Sequence, residues 1–402
     1  MSTRRNKKIK TTNISFHNIK IDLDKSSGSY VYDLNTEKMY LDFFGMYSSL
    51  PLGYNNKCFD TRSFKKEIEK VSKIKITSCE MNTPEHESFV EKFSNFAIPD
   101  SFSGLHFCCT GGLAVESGIK AAFYYKQSKL GSSNSLRCAS FSNGFHGITS
   151  YGNFLTERKG PAGKRLSGFP DIGWPKFSSP AELEDILDSD DSIGAVIIEP
   201  IQCTFGDIHV STKVLNKIRD ITLRYDVPLI FDEVQTGFCS TGTVWYFQKL
   251  QWEPDIVIFG KKSQVCGIFV KESFDQIFDK SQAGRMCITF DGDLVDMVRC
   301  SHIIETIERE ELLSNVIERE AQLRMGLLDI RKIKNVRSSG VLFGFDLKDR
   351  DERDTFVRNL RNIGMICNPT GEKSVRMRPS LSVTQEDISV AISLIKEALH
   401  EN

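Results

Sequence analysis

Two charged residues, Asp232 and Lys261, each close a short apolar run. Asp232 follows Leu229–Phe231 and Lys261 follows Ile256–Phe259 and a glycine, within the stretch from Val227 to Gly267 that contains VPLIFDEVQTG and DIVIFGKKSQVCG. Apolar runs of this kind, rich in β-branched residues, read as buried parallel strands, and α/β enzymes carry their chemistry at the carboxyl ends of such strands. An acid and a lysine on neighbouring strand ends suit a pyridoxal phosphate site, where the lysine forms the Schiff base and the acid pairs with the pyridinium nitrogen. A salt bridge, or two unrelated surface charges, explains these two residues equally well. The residues between the two runs show a helical pattern.

Two glycine-bearing segments upstream could serve the same site. The apolar run Gly104–Cys109 is followed by Thr110-Gly111-Gly112, and from Leu113 to Gln127 apolar residues recur at helical spacing. Strand, glycines and helix start form the arrangement that cradles a phosphate, because glycine permits close backbone approach and the free amides of the helix start point at the anion. Glycine pairs also serve as plain turns. In Asn143-Gly144-Phe145-His146-Gly147, Phe145 could stack on a planar ring or be a buried turn residue, and His146 could be catalytic or a structural hydrogen-bonding group. Glu199 ends another core run, Ile193–Glu199, before Pro200. No CxxC or other zinc pattern occurs, so no metal is expected.

The elements that must position these residues alternate. Strand patterns at 104–109, 137–141, 193–199 and 227–232 are separated by helical patterns, which argues for a mostly parallel, helix-covered sheet. Ser29–Asp42 reads as a hairpin, and Phe43–Asn56 as packed loop or pocket wall. Helical patterns over 294–330, 351–363 and 385–400 and strand patterns over 339–347 and 374–378 describe a second, smaller α+β unit. The expected division is a disordered basic tail over 1–20, an N-terminal segment over 21–56 joining the small domain, a large domain over 57–290 and a small C-terminal domain over 291–402.

Composition narrows the function classes. The chain has 402 residues, 40% hydrophobic and 26% charged, with a net charge of −1. That is ordinary for a globular protein of about two domains and offers no field for nucleic acid. No apolar stretch approaches the roughly 20 residues of a membrane span. The 11 cysteines are scattered, which fits reduced core thiols in a cytoplasmic protein rather than a disulfide framework.

In order and spacing, these motifs resemble the class III aminotransferases, pyridoxal phosphate enzymes of fold type I, and within them the L-lysine 6-aminotransferase group. The resemblance spans about Ser29 to Leu399. It rests on FDEVQTG at 231–237 and the lysine segment at 255–267, with a 29-residue step from Asp232 to Lys261 (261 − 232). The family's lysine directly follows a small residue, here Gly260, which selects Lys261 over the adjacent Lys262. The resemblance implies that Asp232 keeps the ring nitrogen protonated, Val234 and Phe145 take the two ring faces, and His146 belongs to the cofactor pocket. It implies further that Gln235 meets the phenolic oxygen, that Gly111 and Gly112 bind the phosphate, and that Thr289 reaches the phosphate of the neighbouring subunit of a homodimer. Lys261 would also move the proton between carbons. Glu199 would orient the site, and Arg376, in SVRMRPSL, would clasp the carboxylate of 2-oxoglutarate or glutamate. Arg378 would be a second contact or structural. Other chemistry on the same fold (mutase, decarboxylase or racemase) and a non-catalytic scaffold are the alternatives.

Two positions depart from the lysine enzymes. The glutamate that follows their EP motif and pairs with the carboxylate-binding arginine is here Thr204, and the arginine after their FHG motif is here Ile148. The resemblance therefore implies an altered donor pocket. An amine without a free α-carboxylate, a β- or γ-amino acid, or a peptide- or carrier-bound amine is expected in place of lysine.

Overall fold

Strand and helix alternate through the middle of the chain because its apolar residues change period. In the computed structural model, which describes residues 17–131, 135–157 and 170–400, the runs Ile193–Ile198, Leu229–Asp232 and Ile256–Phe259 are strands buried along their whole length. They belong to a seven-stranded sheet with the order Phe102–Cys108, Cys266–Lys271, Ile256–Phe259, Leu229–Asp232, Ile193–Ile198, Arg137–Phe141, Lys176–Phe177. All pairings are parallel except those of Cys266–Lys271, which runs antiparallel to both neighbours. Register sets Asp232 opposite Ile258, three residues before Lys261.

Alternate side chains of these strands feed opposite layers, the period-2 consequence of the pleat. Leu229, Phe231, Val257 and Phe259 join a core with the helices Pro84–Ala97, Pro180–Ser189 and Thr212–Arg224. Ile230, Ile256, Ile258 and Ile268 meet the helix Gly111–Leu130 on the other face, through Ala114, Val115 and Ile119. Gly118 lets that helix come close: a Cβ there would lie 3.3 Å from Ile258.

The C-terminal part forms an antiparallel sheet in the order Lys334–Ser339, Leu342–Asp346, Ser374–Met377, Asn368–Thr370. The helices Leu312–Leu328, Arg350–Asn362 and Gln385–Ala398 pack on it. A third sheet joins Ile21–Ser27 and the hairpin Tyr30–Asp33/Lys38–Asp42 to Met365–Ile366, which runs parallel to Lys38–Asp42.

One reading needs correction and two gain sharper bounds. The pattern between Gly237 and Asp255 is not a helix. Phe238 and Cys239 adopt left-handed φ of 51° and 68°, Phe238, Trp245 and Phe247 are driven individually into the core, and only a 3-10 turn forms at Tyr246–Lys249. Within Ser339–Leu347 the strand is Leu342–Asp346, and Ser339 instead ends the preceding strand, Lys334–Ser339, with a turn at Gly340 (φ +60°) between them. Residues 294–330 are two helices, Leu294–Arg309 and Leu312–Leu328, separated by Glu311 at φ 49°. The basic run Arg4–Lys10 lies outside the described residues.

Candidate active site

At the carboxyl end of the sheet, Asp232 lies almost fully buried. Its Oδ1 accepts from the Val234 amide at 3.1 Å, and its Oδ2 is 2.8 Å from His146 Nδ1. The His146 ring is entirely buried. It therefore backs the carboxylate from within the protein and does not face the open side. Carboxylate and imidazole fix each other, as a histidine commonly orients a working acid.

Glu199, at the end of the neighbouring strand, accepts from the Phe145 amide at 2.7 Å. Burial and the nearby Asp232 carboxylate raise its pKa well above the usual carboxylate range. That bond ties Glu199 to the turn at Phe145, a residue 37% exposed. Val234 lies beside two of the glycines: a Cβ on Gly111 would lie 3.4 Å from it, and one on Gly260 3.5 Å.

Thr110 caps the helix Gly111–Leu130 by accepting from Leu113 N at 3.4 Å. The first amides of that helix are thus held in place with no side chain on residues 111 and 112 to obstruct them. A Cβ on Gly112 would press to 2.9 Å from Thr149 Cγ2, so glycine is required there for packing as well.

Lys261 and Lys262 separate clearly. Lys261 takes a left-handed φ of 54° after Gly260, a strained conformation for a lysine of the kind that concentrates at functional sites. It remains partly exposed, within electrostatic reach of Cys203, Arg376, Glu199 and Asp232, and burial lowers its amine pKa. Lys262 is turned inward, 1% exposed, and its Nζ has no hydrogen-bond partner.

Arg376 is buried, and its Nη1 donates to Cys203 O at 2.9 Å. Its guanidinium carbon is 5.3 Å from the centre of the Tyr47 ring. Tyr47 sits in four consecutive left-handed residues, Gly45 to Ser48, with φ of 52°, 49°, 58° and 75°, so part of Phe43–Asn56 is wall. Thr204 follows Cys203, and its own carbonyl accepts from Thr370 Oγ1 at 2.9 Å. Among the described residues no carboxylate lies within ion-pair distance of Arg376. Ile148 is 70% exposed and Thr289 is also exposed; neither touches the Asp232 cluster.

Arg378 resolves as structural. It is 1% exposed and paired through Nη1 with Asp207 Oδ2 at 2.9 Å and through Nη2 with Asp207 Oδ1. Its Nε donates to Gln235 Oε1 at 3.1 Å, which turns the amide nitrogen of Gln235 away from the pair. Asp207 was not singled out in the sequence. Nothing in IQCTFGDIHV marks it, because its partner lies 171 residues away (378 − 207).

An acid in a dry setting, a partly open amine, a glycine-lined helix start and an aromatic wall are the donor set that pyridoxal phosphate requires, so the residues present fit that cofactor. The class-III aminotransferase family matches residues 11–399. L-lysine-epsilon aminotransferase of Amycolatopsis lactamdurans is 32% identical, over 95% of this chain and 92% of its own length. Acetylornithine aminotransferase of Archaeoglobus fulgidus is 30% identical over 94% and 95%. Among solved structures, lysine aminotransferase from Mycobacterium tuberculosis in its internal aldimine form superposes with a TM-score of 0.90, at 32% identity and 97% coverage of both chains. The chain therefore belongs to the class III aminotransferases, pyridoxal phosphate-dependent enzymes of fold type I, and is similar to the lysine-epsilon aminotransferases.

Proposed function

We propose that this aminotransferase moves an amino group from a terminal or ω-amine to 2-oxoglutarate in two ping-pong half-reactions, with an altered donor pocket. The single observation that carries the acceptor and donor reading is Arg376, a buried guanidinium with no carboxylate partner among the described residues. Where the lysine enzymes place a glutamate, Thr204 leaves Arg376 free to take a carboxylate in both half-reactions. Ile148 removes one charge-assisted contact to a donor α-carboxylate, worth about 1.5–3 kcal/mol, or roughly tenfold to hundredfold in affinity.

When bound, pyridoxal phosphate supplies the electron sink for the carbanion at the amine-bearing carbon. Asp232, held by His146, keeps the ring-nitrogen proton in place, since a nearby carboxylate favours the charged form. Phe145 and Val234 hold the ring between them. Gln235, oriented by Arg378, donates its amide to the phenolic oxygen, and the amides of Gly111 and Gly112 bind the phosphate. The lowered pKa of Lys261 makes its Nζ available as a base that takes and returns the substrate proton. Arg376 clasps the substrate carboxylate in the plane of its fork.

The same reading includes a cytoplasmic homodimer in which Thr289 serves the partner's phosphate, with no nucleic acid or membrane partner; no described helix is long and apolar enough to cross a membrane. It divides the chain into a large domain over 57–290 and a smaller one over 291–402 joined by 21–56. The parallel pairing of Lys38–Asp42 with Met365–Ile366 supports that junction.

A screen of amines against 2-oxoglutarate, following glutamate, tests the proposal. An ω-amine lacking a free α-carboxylate is expected to outpace lysine, and Lys261→Ala to lower turnover by about 10²–10⁴. Turnover of lysine at a typical rate of about 10 per second would overturn the altered-pocket reading.

A further inference from the structure

Away from the Asp232 cluster, Cys79 meets a distant segment that carries Cys287 and Asp291. The Cys79 and Cys287 sulfurs and a carboxylate oxygen of Asp291 all lie within 4.8 Å of one another. The segment that carries two of them is tethered: Cys109 Sγ donates to Phe290 O at 2.8 Å, and Cys79 Sγ donates to Ile288 O at 3.7 Å. Asp291 is 7% exposed, and its Oδ1 accepts from the Ile288 amide at 2.9 Å. It forms no ion pair among the described residues; Lys75 pairs with Asp293 at 3.0 Å. A buried carboxylate without a cation is costly, and this one faces two soft sulfur donors.

We propose that Cys79, Cys287 and Asp291 form a binding site for a thiophilic divalent cation of the zinc type. Two thiolates and a carboxylate are ligands that zinc takes tetrahedrally, with metal–sulfur bonds of about 2.3 Å and sulfurs about 3.8 Å apart. The three groups need therefore close by no more than about 1 Å. The hydrogen bond from Ile288 orients Asp291 as outer partners orient metal ligands. Cys79 is exposed, which leaves a fourth position for water. Binding releases the two thiol protons. The occupied site would pin the loop 287–291, which carries Thr289; that consequence rests on the role proposed for Thr289, whereas the site itself does not.

The test is a metal count on the full-length, cofactor-loaded protein. Chelator-treated protein is equilibrated with zinc alone, desalted and analysed by elemental mass spectrometry. About one zinc per chain is expected, falling to background in Cys79→Ser and in Cys287→Ser and weakening in Asp291→Asn. A wild-type protein that retains no zinc overturns the proposal, as does full retention in both cysteine variants. The wild-type count stands whether or not a variant folds, and because it needs no turnover, its outcome is independent of the donor assignment.

Discussion

Adjacent lysines can be made chemically different by which way each one turns. The Nζ of Lys262 is sealed among Arg378, Lys261, Cys239 and Asp42, and burial, reinforced by the two neighbouring cations, lowers its pKa to about 7. Its unfolded value is near 10.5, so between pH 7 and 10.5 the unfolded chain binds a proton that the folded chain does not. Burying Lys262 therefore costs nothing above about pH 10.5, and the cost grows as pH falls until it is complete near pH 7, a slope approaching 1.4 kcal/mol per pH unit between the two. Lys262→Met is expected to remove that slope and to raise neutral-pH stability, read by urea unfolding of wild type and variant at pH 7, 8 and 9. Parallel slopes in the two proteins would refute it. The same pair marks how far residue types carry. Asp232, Lys261 and Arg376 were legible because motif and spacing single them out. The Arg378–Asp207 pair and the cluster of Cys79 with Cys287 and Asp291 were not, because each depends on a meeting of distant segments that no local pattern encodes.

Among the elements, the helix Gly111–Leu130 does two jobs: its Ala and Gly face packs on Ile230 and Ile258, while its first turn is left open. Gly112→Ala would set a methyl 2.9 Å from Thr149 Cγ2, and Thr149 Oγ1 is itself held by Glu116 at 3.1 Å. Overpacking of this kind costs about 1–3 kcal/mol. We expect at least a tenfold weaker affinity for pyridoxal phosphate, checked by titrating the apoprotein and following absorbance; unchanged affinity would remove Gly112 from the phosphate site. The parallel strands and their helices were readable because a run buried on both faces has few alternatives. The antiparallel strand Cys266–Lys271 was missed since its residues, CGIFVK, look like the tail of the lysine segment. The false helix before Asp255 arose because aromatic side chains pinned one by one into a core can imitate helical spacing.

At the scale of the whole molecule, the proposed homodimer makes a prediction that no single chain can satisfy. If Thr289 serves the partner's site, mixing inactive Lys261→Ala chains with impaired Thr289→Ala chains creates one site that has both native residues. Activity should rise on mixing toward about one native site per heterodimer; no gain on mixing, with exchange confirmed by ultracentrifugation, would place Thr289 outside the partner's site. Segments far apart in the sequence, 43–51 and 378–381, also meet. Arg378 N donates to Phe43 O at 2.7 Å and Leu381 N to Pro51 O at 2.8 Å, and a Cβ on Gly45 would collide with the Arg378 carbonyl at 2.0 Å.

That closure bears on how the protein is made. Arg376 and Arg378 are made more than 320 residues after the segment 43–51 that they help to cover (376 − 51 = 325). A nascent chain can build its central sheet and expose its lysine long before Gln235 or the carboxylate clasp has a partner. Until residues 376–381 are made, the segment 43–51 waits without its cover, and a chain stopped before them would hold Lys261 but lack Arg376 and Arg378.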